Sequence, residues 1–296
     1  MTILLLGSNG QLAKTLKQLK PIHINLISFS RNEFNFLDPQ KNLKKIENIN
    51  PTHIINAAAY TDVDKAESEE GIAKQINAYS PYEIASKFDS SNCKFIHIST
   101  DFVFNGYQSY PYKNVANVSP LGIYGESKAL GEKLIVELSN SKIIRTSWLY
   151  SPFGKNFCLT IINLLRANSK IKKPLKVVCD QISCPTSTYS LANLCWELIL
   201  NHRSYENTPK INHWSDSGIA SWYDFAVVIS QISLREGIID SVPEILPIKS
   251  SEFISLAKRP SFSLLDCEDT YKAVNIERKH WSYELSKVIK NIKSSL

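Results

Sequence analysis

The sequence predicts an α/β protein, a doubly wound parallel sheet joined to a smaller α/β lobe. Three observations predict it. Short apolar runs alternate with helical patterns through the first half. A glycine-bearing turn, Gly7 to Ala13, follows the first apolar run directly. After Trp148 the pattern loosens into helices separated by prolines.

Residues 2–6 are a continuous apolar run ended by Gly7, as expected of a strand buried on both faces. Leu12, Leu16 and Leu19 then recur at helical spacing. Strands are predicted over 23–29, 53–58, 94–99 and 142–146. Helices are predicted over 69–87 and 120–138, the second opened by Pro120. Strands alternating with helices imply right-handed crossovers and a sheet covered on both faces. Residues 1–150 are therefore expected to form a dinucleotide-binding domain of Rossmann type. Residues 151–296 are expected to form mainly a second lobe, with some segments returning to complete the first domain. Its helices are predicted over 156–167, 190–200 and 221–237. The cleft between the lobes is the expected site.

Bulk properties narrow the function. The formal net charge is +6, but acidic residues run among the Lys and Arg, with no basic stripe or tail. That pattern argues against nucleic-acid binding. No apolar run reaches membrane-spanning length, and Ile3–Leu6 lacks the basic flank of a signal peptide. The six cysteines form no CxxC pair and accompany no histidine cluster at metal spacing. A cytoplasmic protein with free thiols and no metal is expected.

The loop Gly7-Ser8-Asn9-Gly10-Gln11-Leu12-Ala13 has the strand–turn–helix setting of a pyrophosphate cradle. Gly7 permits the turn, Gly10 lets the backbone approach a phosphate, and Ala13 lets helix and strand pack closely. The helix N-terminus offers free N–H groups and a positive dipole end. At the end of the second strand an acidic residue would favour NAD; Ser30 and Arg31 stand there instead, and suit a 2′-phosphate. NADPH is the expected cofactor, with NADH the alternative.

Tyr124 and Lys128 are four residues apart, so a helix places them on one face. Ser99-Thr100-Asp101 closes a predicted strand, where doubly wound sheets carry their ligand crevice. A ketone receiving hydride needs a proton, and a phenol can supply it. Lys128 is expected to stabilise the phenolate and to reach the nicotinamide ribose. Thr100, or Ser99, is expected to hold the substrate oxygen.

The order of these motifs resembles that of extended short-chain dehydrogenases. Finer stretches resemble the dTDP-4-dehydrorhamnose reductase family: NAAAYTDVDKAE over 56–67, STDFVFNG over 99–106 and SPLGIYGESKALGE over 119–132. RTSWLY over 145–150 with Asn156-Phe157, VCDQ over 178–181 with Pro185-Thr186, SWYDFA over 221–226, and Arg259-Pro260 before Ser263 extend the likeness over nearly the whole chain. The resemblance implies NADPH-dependent reduction of a dTDP-linked 4-keto-6-deoxyhexose by a monomer or weak homodimer. Thr100, Tyr124 and Lys128 would be catalytic. Asn9, Gln11 and Leu12, with the loop glycines, would hold the cofactor. So would Ala58, Ala59, Tyr60 and Thr61, with Asp38 near the adenine. Phe102, Trp148, Asn156 and Arg259 would hold the sugar nucleotide, Arg259 being suited to a diphosphate oxygen.

The chain departs from the family at several points. The third loop glycine is Ala13, Ser183 stands where glycine is usual, and Phe262 replaces an asparagine. Some members bridge a dimer with magnesium through glutamates, where this chain has Thr15 and Tyr189, so no metal is carried over. The alternatives are another nucleotide-sugar reductase or epimerase, or a non-catalytic NADP-binding regulatory subunit. Retention of both Tyr124 and Lys128 argues against the last.

Overall fold

The structure, a computed structural model, describes residues 1–171 and 173–294. The first half runs β1 (Thr2–Leu6), α1 (Gln11–Gln18), β2 (Asn25–Phe29), α2 (Gln40–Ile49), β3 (His53–Asn56), α3 (Val63–Ala66), α4 (Glu70–Lys74), α5 (Ser80–Asp89), β4 (Lys94–Thr100), α6 (Ile123–Ile135) and β5 (Ser141–Thr146). The second runs β6 (Leu149–Tyr150), α7 (Phe157–Ile171), β7 (Leu175–Val178), β8 (Ile182–Ser183), β9 (Thr186–Ser187), α8 (Thr188–Leu200), α9 (His202–Asn207), β10 (Ile211–His213), β11 (Ala220–Ser221), α10 (Trp222–Arg235), β12 (Ile245–Ile248), α11 (Glu268–Ala273) and α12 (Trp281–Lys293).

Six strands form one parallel sheet in the order β10-β5-β4-β3-β1-β2. The two sheet faces alternate residue by residue. Ile3, Leu5, Ile55, Ile96 and Ile144 pack beneath α1 and α8. Leu4, Leu6, Ile54, Phe95 and Ile143 pack on the opposite face, with Leu43 and Ile46 of α2, Ile84 of α5 and Ile135 of α6. Burial on both faces explains why the strands are apolar runs rather than alternations. β10 comes from the second half and joins the sheet beside β5, and α8 packs against α1. A separate core gathers α7, α10, α12 and β7 around Leu165, Phe225, Ile229 and Leu285.

Several expected boundaries shift for local reasons. The second strand starts at Asn25, because Pro21 first closes a turn with the Ile24 N–H. The third stops at Asn56, where the chain bends toward Gly7. The expected helix over 69–87 is interrupted by a π-helical turn, Gln75–Tyr79. Pro81 has no N–H to offer the Asn77 carbonyl four residues back, which favours the wider turn just before it. The helix expected from Pro120 begins at Ile123, capped by Gly122.

The strand order reverses at β1, which lies between β2 and β3. This switch point, beyond the carboxyl ends of β1 and β3, is where such sheets open a crevice. No helix among the described residues is long and apolar enough to cross a membrane.

Candidate active site

A cavity of about 610 Å³ opens above the switch point. Its floor is the Asn9–Leu12 loop, Ala57–Ala59 after β3, and Ile98–Phe102 at the end of β4. Tyr124, Lys128, Trp148, Phe157, Trp222 and Arg259 wall it. A smaller recess of about 230 Å³ shares Asn9, Gly10 and Ala57–Ala59, and continues past Ser30, Arg31, Leu37 and Tyr60.

Gly7 adopts φ +85°, and a Cβ there would lie 2.7 Å from the Ala58 nitrogen. Only glycine fits both the backbone and the contact. Gly10 caps α1 with no side chain, so the first N–H groups of the helix face the cavity unobstructed. This cradle fits the pyrophosphate of a dinucleotide. Gln11 also spans the cleft, donating to the Leu149 carbonyl (3.1 Å) and accepting from Ser151 (3.1 Å). Ala58, Ala59 and Thr61 line the main cavity; Tyr60 lines the recess and donates its hydroxyl to Glu69 (2.8 Å).

The expected 2′-phosphate corner is only partly free. Both the N–H and the hydroxyl of Ser30 donate to Glu33, at 2.7 and 2.6 Å, and these bonds hold the Glu33 carboxyl below its usual value. Arg31 is exposed and lines the recess. Asp38 lines neither cavity; it pairs with Lys41 (2.5 Å), while its neighbour Leu37 faces the recess.

Thr100, Tyr124 and Lys128 come together as the spacing predicts. Thr100 ends β4, accepts the Phe102 N–H (3.2 Å) and donates to Asp101 Oδ1 (3.1 Å). Tyr124 sits in the first turn of α6, edge-on to Phe102, with ring centroids 5.7 Å apart. Burial pushes its phenol up to about 12; the bond to Thr100 opposes this and the Asp101 charge reinforces it. Lys128 is 1% exposed. Burial lowers it to about 8, partly opposed by Glu132. Lys128 is expected to ease the Tyr124 proton off, yet the phenol is raised rather than lowered. Lys128 Nζ turns instead to the Ile98 carbonyl (2.6 Å) and His97 Nε2 (3.2 Å).

Glu132, one turn beyond Lys128, fixes the helix. It accepts from Arg145 Nη2 (2.7 Å) and Nε (3.0 Å) of β5, and from Ser99 of β4 (2.5 Å), all buried. A buried carboxylate needs such a full set of donors.

Across the cavity from the loop, Trp148 holds a left-handed backbone (φ +44°) and stacks on Trp222 at 3.5 Å and 7°. A positive φ is costly for a bulky residue, so the fold enforces this placement. Asn156 does not line the cavity. Its amide donates to the Ser151 and Phe153 carbonyls (3.0 and 3.2 Å) and accepts the Leu159 N–H, shaping the loop that presents Lys155 and Phe157. Arg259 lines the cavity and also donates to Asp64 (2.8 Å).

Sequence reasoning assigns no role to Trp222, Asp64, Asp101 or His97. Asp64 accepts the Leu256 and Ala257 N–H groups, tying α3 to the segment that carries Arg259. Asp101 is buried, accepts from Ser263 (2.5 Å), and is raised to about 6 by burial, against its bonds to Ser263 and Thr100. Both acids lie inside quoted motifs, but only the fold reveals their distant partners, Ser263 for Asp101 and Ala257 and Arg259 for Asp64.

No cluster of metal-ligating side chains occurs among the described residues. Thr15 bonds Thr188 (2.7 Å) and Tyr189 bonds Gln18 (3.1 Å); these neutral groups do not fit magnesium. All six cysteines are free thiols, and five are buried.

Known proteins resemble the chain over its full length. The family model described as "RmlD substrate binding domain" matches residues 1–294. A dTDP-4-dehydrorhamnose reductase of Aggregatibacter actinomycetemcomitans is 33% identical, covering 99% of this chain and 98% of that one. The spore coat polysaccharide biosynthesis protein SpsK of Bacillus subtilis is 35% identical, with the same coverage. The crystal structure of dTDP-4-dehydrorhamnose reductase from Bacillus anthracis, in complex with NADP, superposes with a TM-score of 0.88 at 30% identity, covering 98% of this chain and 99% of that one.

Proposed function

The chain belongs to the family of dTDP-4-dehydrorhamnose reductases, and from that premise we propose that its cleft reduces the 4-keto group of dTDP-4-dehydro-β-L-rhamnose with NADPH. The observation that carries the reading is the convergence of Thr100, Tyr124 and Lys128 on a cavity whose other end is the Gly7–Leu12 cradle. NADPH supplies the hydride when bound.

The chain's own residues do the rest. The Gly7–Leu12 loop and the start of α1 hold the pyrophosphate. Ala58, Ala59, Tyr60 and Thr61 flank the dinucleotide, and Arg31 meets the 2′-phosphate. Thr100 orients the ketone oxygen. Tyr124, kept protonated by burial, gives its proton to that oxygen as negative charge develops there. Lys128 serves the ribose and restores the phenol. Trp148 and Phe102 contact the deoxysugar. Arg259 and Lys155 supply positive charge for the diphosphate, with Arg259 steadied by Asp64.

The test is NADPH oxidation by the purified protein with dTDP-4-dehydro-β-L-rhamnose. Turnover, with dTDP-L-rhamnose as product, is expected. Turnover only with UDP- or GDP-linked 4-ketosugars would reassign the substrate. Tight NADPH binding without any turnover would favour a regulatory role.

A further inference from the structure

Beneath the cleft, three buried polar side chains form a line. Asn56 of β3 and His97 of β4 are direct partners across the sheet. Asn56 Nδ2 lies 3.0 Å from His97 Nδ1, and His97 Nε2 lies 3.2 Å from Lys128 Nζ. None is more than 1% exposed. Buried polar groups must satisfy one another, so donors and acceptors can be assigned along the line.

The assignment starts at Ala58. Its backbone N–H donates to Asn56 Oδ1 (3.2 Å), which fixes the amide orientation. Asn56 Nδ2, a donor only, therefore faces His97 Nδ1, which must accept. Complete burial, which penalises the charged imidazolium, keeps His97 far below its usual value, hence neutral. A neutral imidazole that accepts at Nδ1 carries its proton on Nε2. That N–H points at Lys128 Nζ and needs a lone pair there. An ammonium has none; a neutral amine has one, and still donates to the Ile98 carbonyl at 2.6 Å.

We propose that Asn56 and His97 are positioning residues that set the protonation state of Lys128, stabilising its neutral amine relative to its ammonium. This inference rests on the reductase reading, in which Lys128 serves Tyr124 and the cofactor ribose. The consequence is a lysine that exchanges a proton near working pH instead of remaining a fixed cation.

Other groups face this lysine. Glu132 lies one turn along α6 and favours the ammonium, but Arg145 holds it in a bidentate pair. Tyr124 lies one turn back on the same face, and Asp101 beside it carries a raised pKa. The Lys128 shift to about 8 has the direction that the donor accounting requires.

The experiment is a pH titration of Lys128 Nζ by NMR in protein carrying ¹⁵N-lysine, with the resonance identified by its loss in Lys128→Met. It needs no substrate and is run with and without NADP⁺. In the wild type, Lys128 titrates well below the ordinary lysine value of about 10.4. Asn56→Asp keeps an acceptor for the Ala58 N–H but replaces the donor facing His97 with an acceptor. The imidazole proton then moves to Nδ1, Nε2 accepts, and Lys128 titrates higher by at least about one pH unit, a tenfold gain in proton affinity. His97→Gln, which presents an amide oxygen to Nζ, shifts it the same way and covers failure of the first variant to fold. The alkaline limb of kcat moves with these titrations. Because the Asn56→Asp carboxylate attracts the ammonium by charge alone, the uncharged His97→Gln variant decides: a merely structural role would lower its melting temperature and leave its Lys128 titration in place.

An ordinary wild-type titration, or an unmoved Lys128 in a folded variant, would overturn the proposal. A shifted titration in a protein that reduces no 4-ketosugar would instead leave the chain standing and remove the reductase reading.

Discussion

The two walls of the cleft are built differently. The wall proposed to hold the cofactor comes from short contiguous stretches at the carboxyl ends of β1, β3 and β4, whose sheet is fixed by burial on both faces. The wall proposed to meet the sugar gathers Phe102, Trp148, Phe157, Trp222 and Arg259 from five separate segments, held by ring stacking and by the Asp64–Arg259 pair. A wall made of backbone can be written in a local motif. A wall made of distant side chains is specified only when the fold brings them together.

Substitutions on each wall should separate the two. Gly7→Ala is the most severe change, because a Cβ meets the Ala58 backbone at 2.7 Å. The left-handed backbone alone costs alanine about 1–2 kcal/mol. NADPH affinity should fall by about tenfold or more, with a lower melting temperature, both read by calorimetry. An unchanged affinity would mean that the loop is not the cradle.

Trp222→Ala acts on the other wall. Losing an aromatic stack worth about 0.5–1.5 kcal/mol should raise KM for the sugar nucleotide up to about tenfold. The NADPH dissociation constant should stay put. If NADPH binding weakens instead, the two walls are not separable.

The smallest effect is expected at Arg31, an exposed side chain at the edge of the recess. Arg31→Ala should reduce the NADPH over NADH preference about two- to fivefold, the range of an exposed ion pair. Because Glu33 already occupies Ser30, Ser30→Ala should change that preference less than Arg31→Ala does. Steady-state kinetics with both cofactors would settle the order.

The same contrast governs what can be read from the chain. The parallel sheet, the glycine turn before α1 and the shared helix face of Tyr124 and Lys128 are local patterns and stand where the spacing places them. Helix α12 is as legible, with Leu285, Val288, Ile289 and Ile292 at helical spacing and buried, yet the reading of the second lobe leaves it out. Helix α2 carries only two buried apolar residues, Leu43 and Ile46, and offers a weaker signal. The return of β10 to the sheet is three residues long and has no periodicity to find. At the site, a family motif marks Asn156 but cannot tell a loop-shaping amide from one that meets a ligand. The orientation of Lys128 toward His97 depends on pairing across β3 and β4, which spacing along one strand does not encode.

Tyr124→Phe tests the central claim most directly, because it removes one oxygen and keeps the ring against Phe102. Calorimetry should find NADPH binding unchanged, while turnover of dTDP-4-dehydro-β-L-rhamnose falls by about a hundredfold or more, as loss of a general acid requires. A Tyr124→Phe protein that still turns over at the wild-type rate would contradict the account and place the proton donor elsewhere in the cleft.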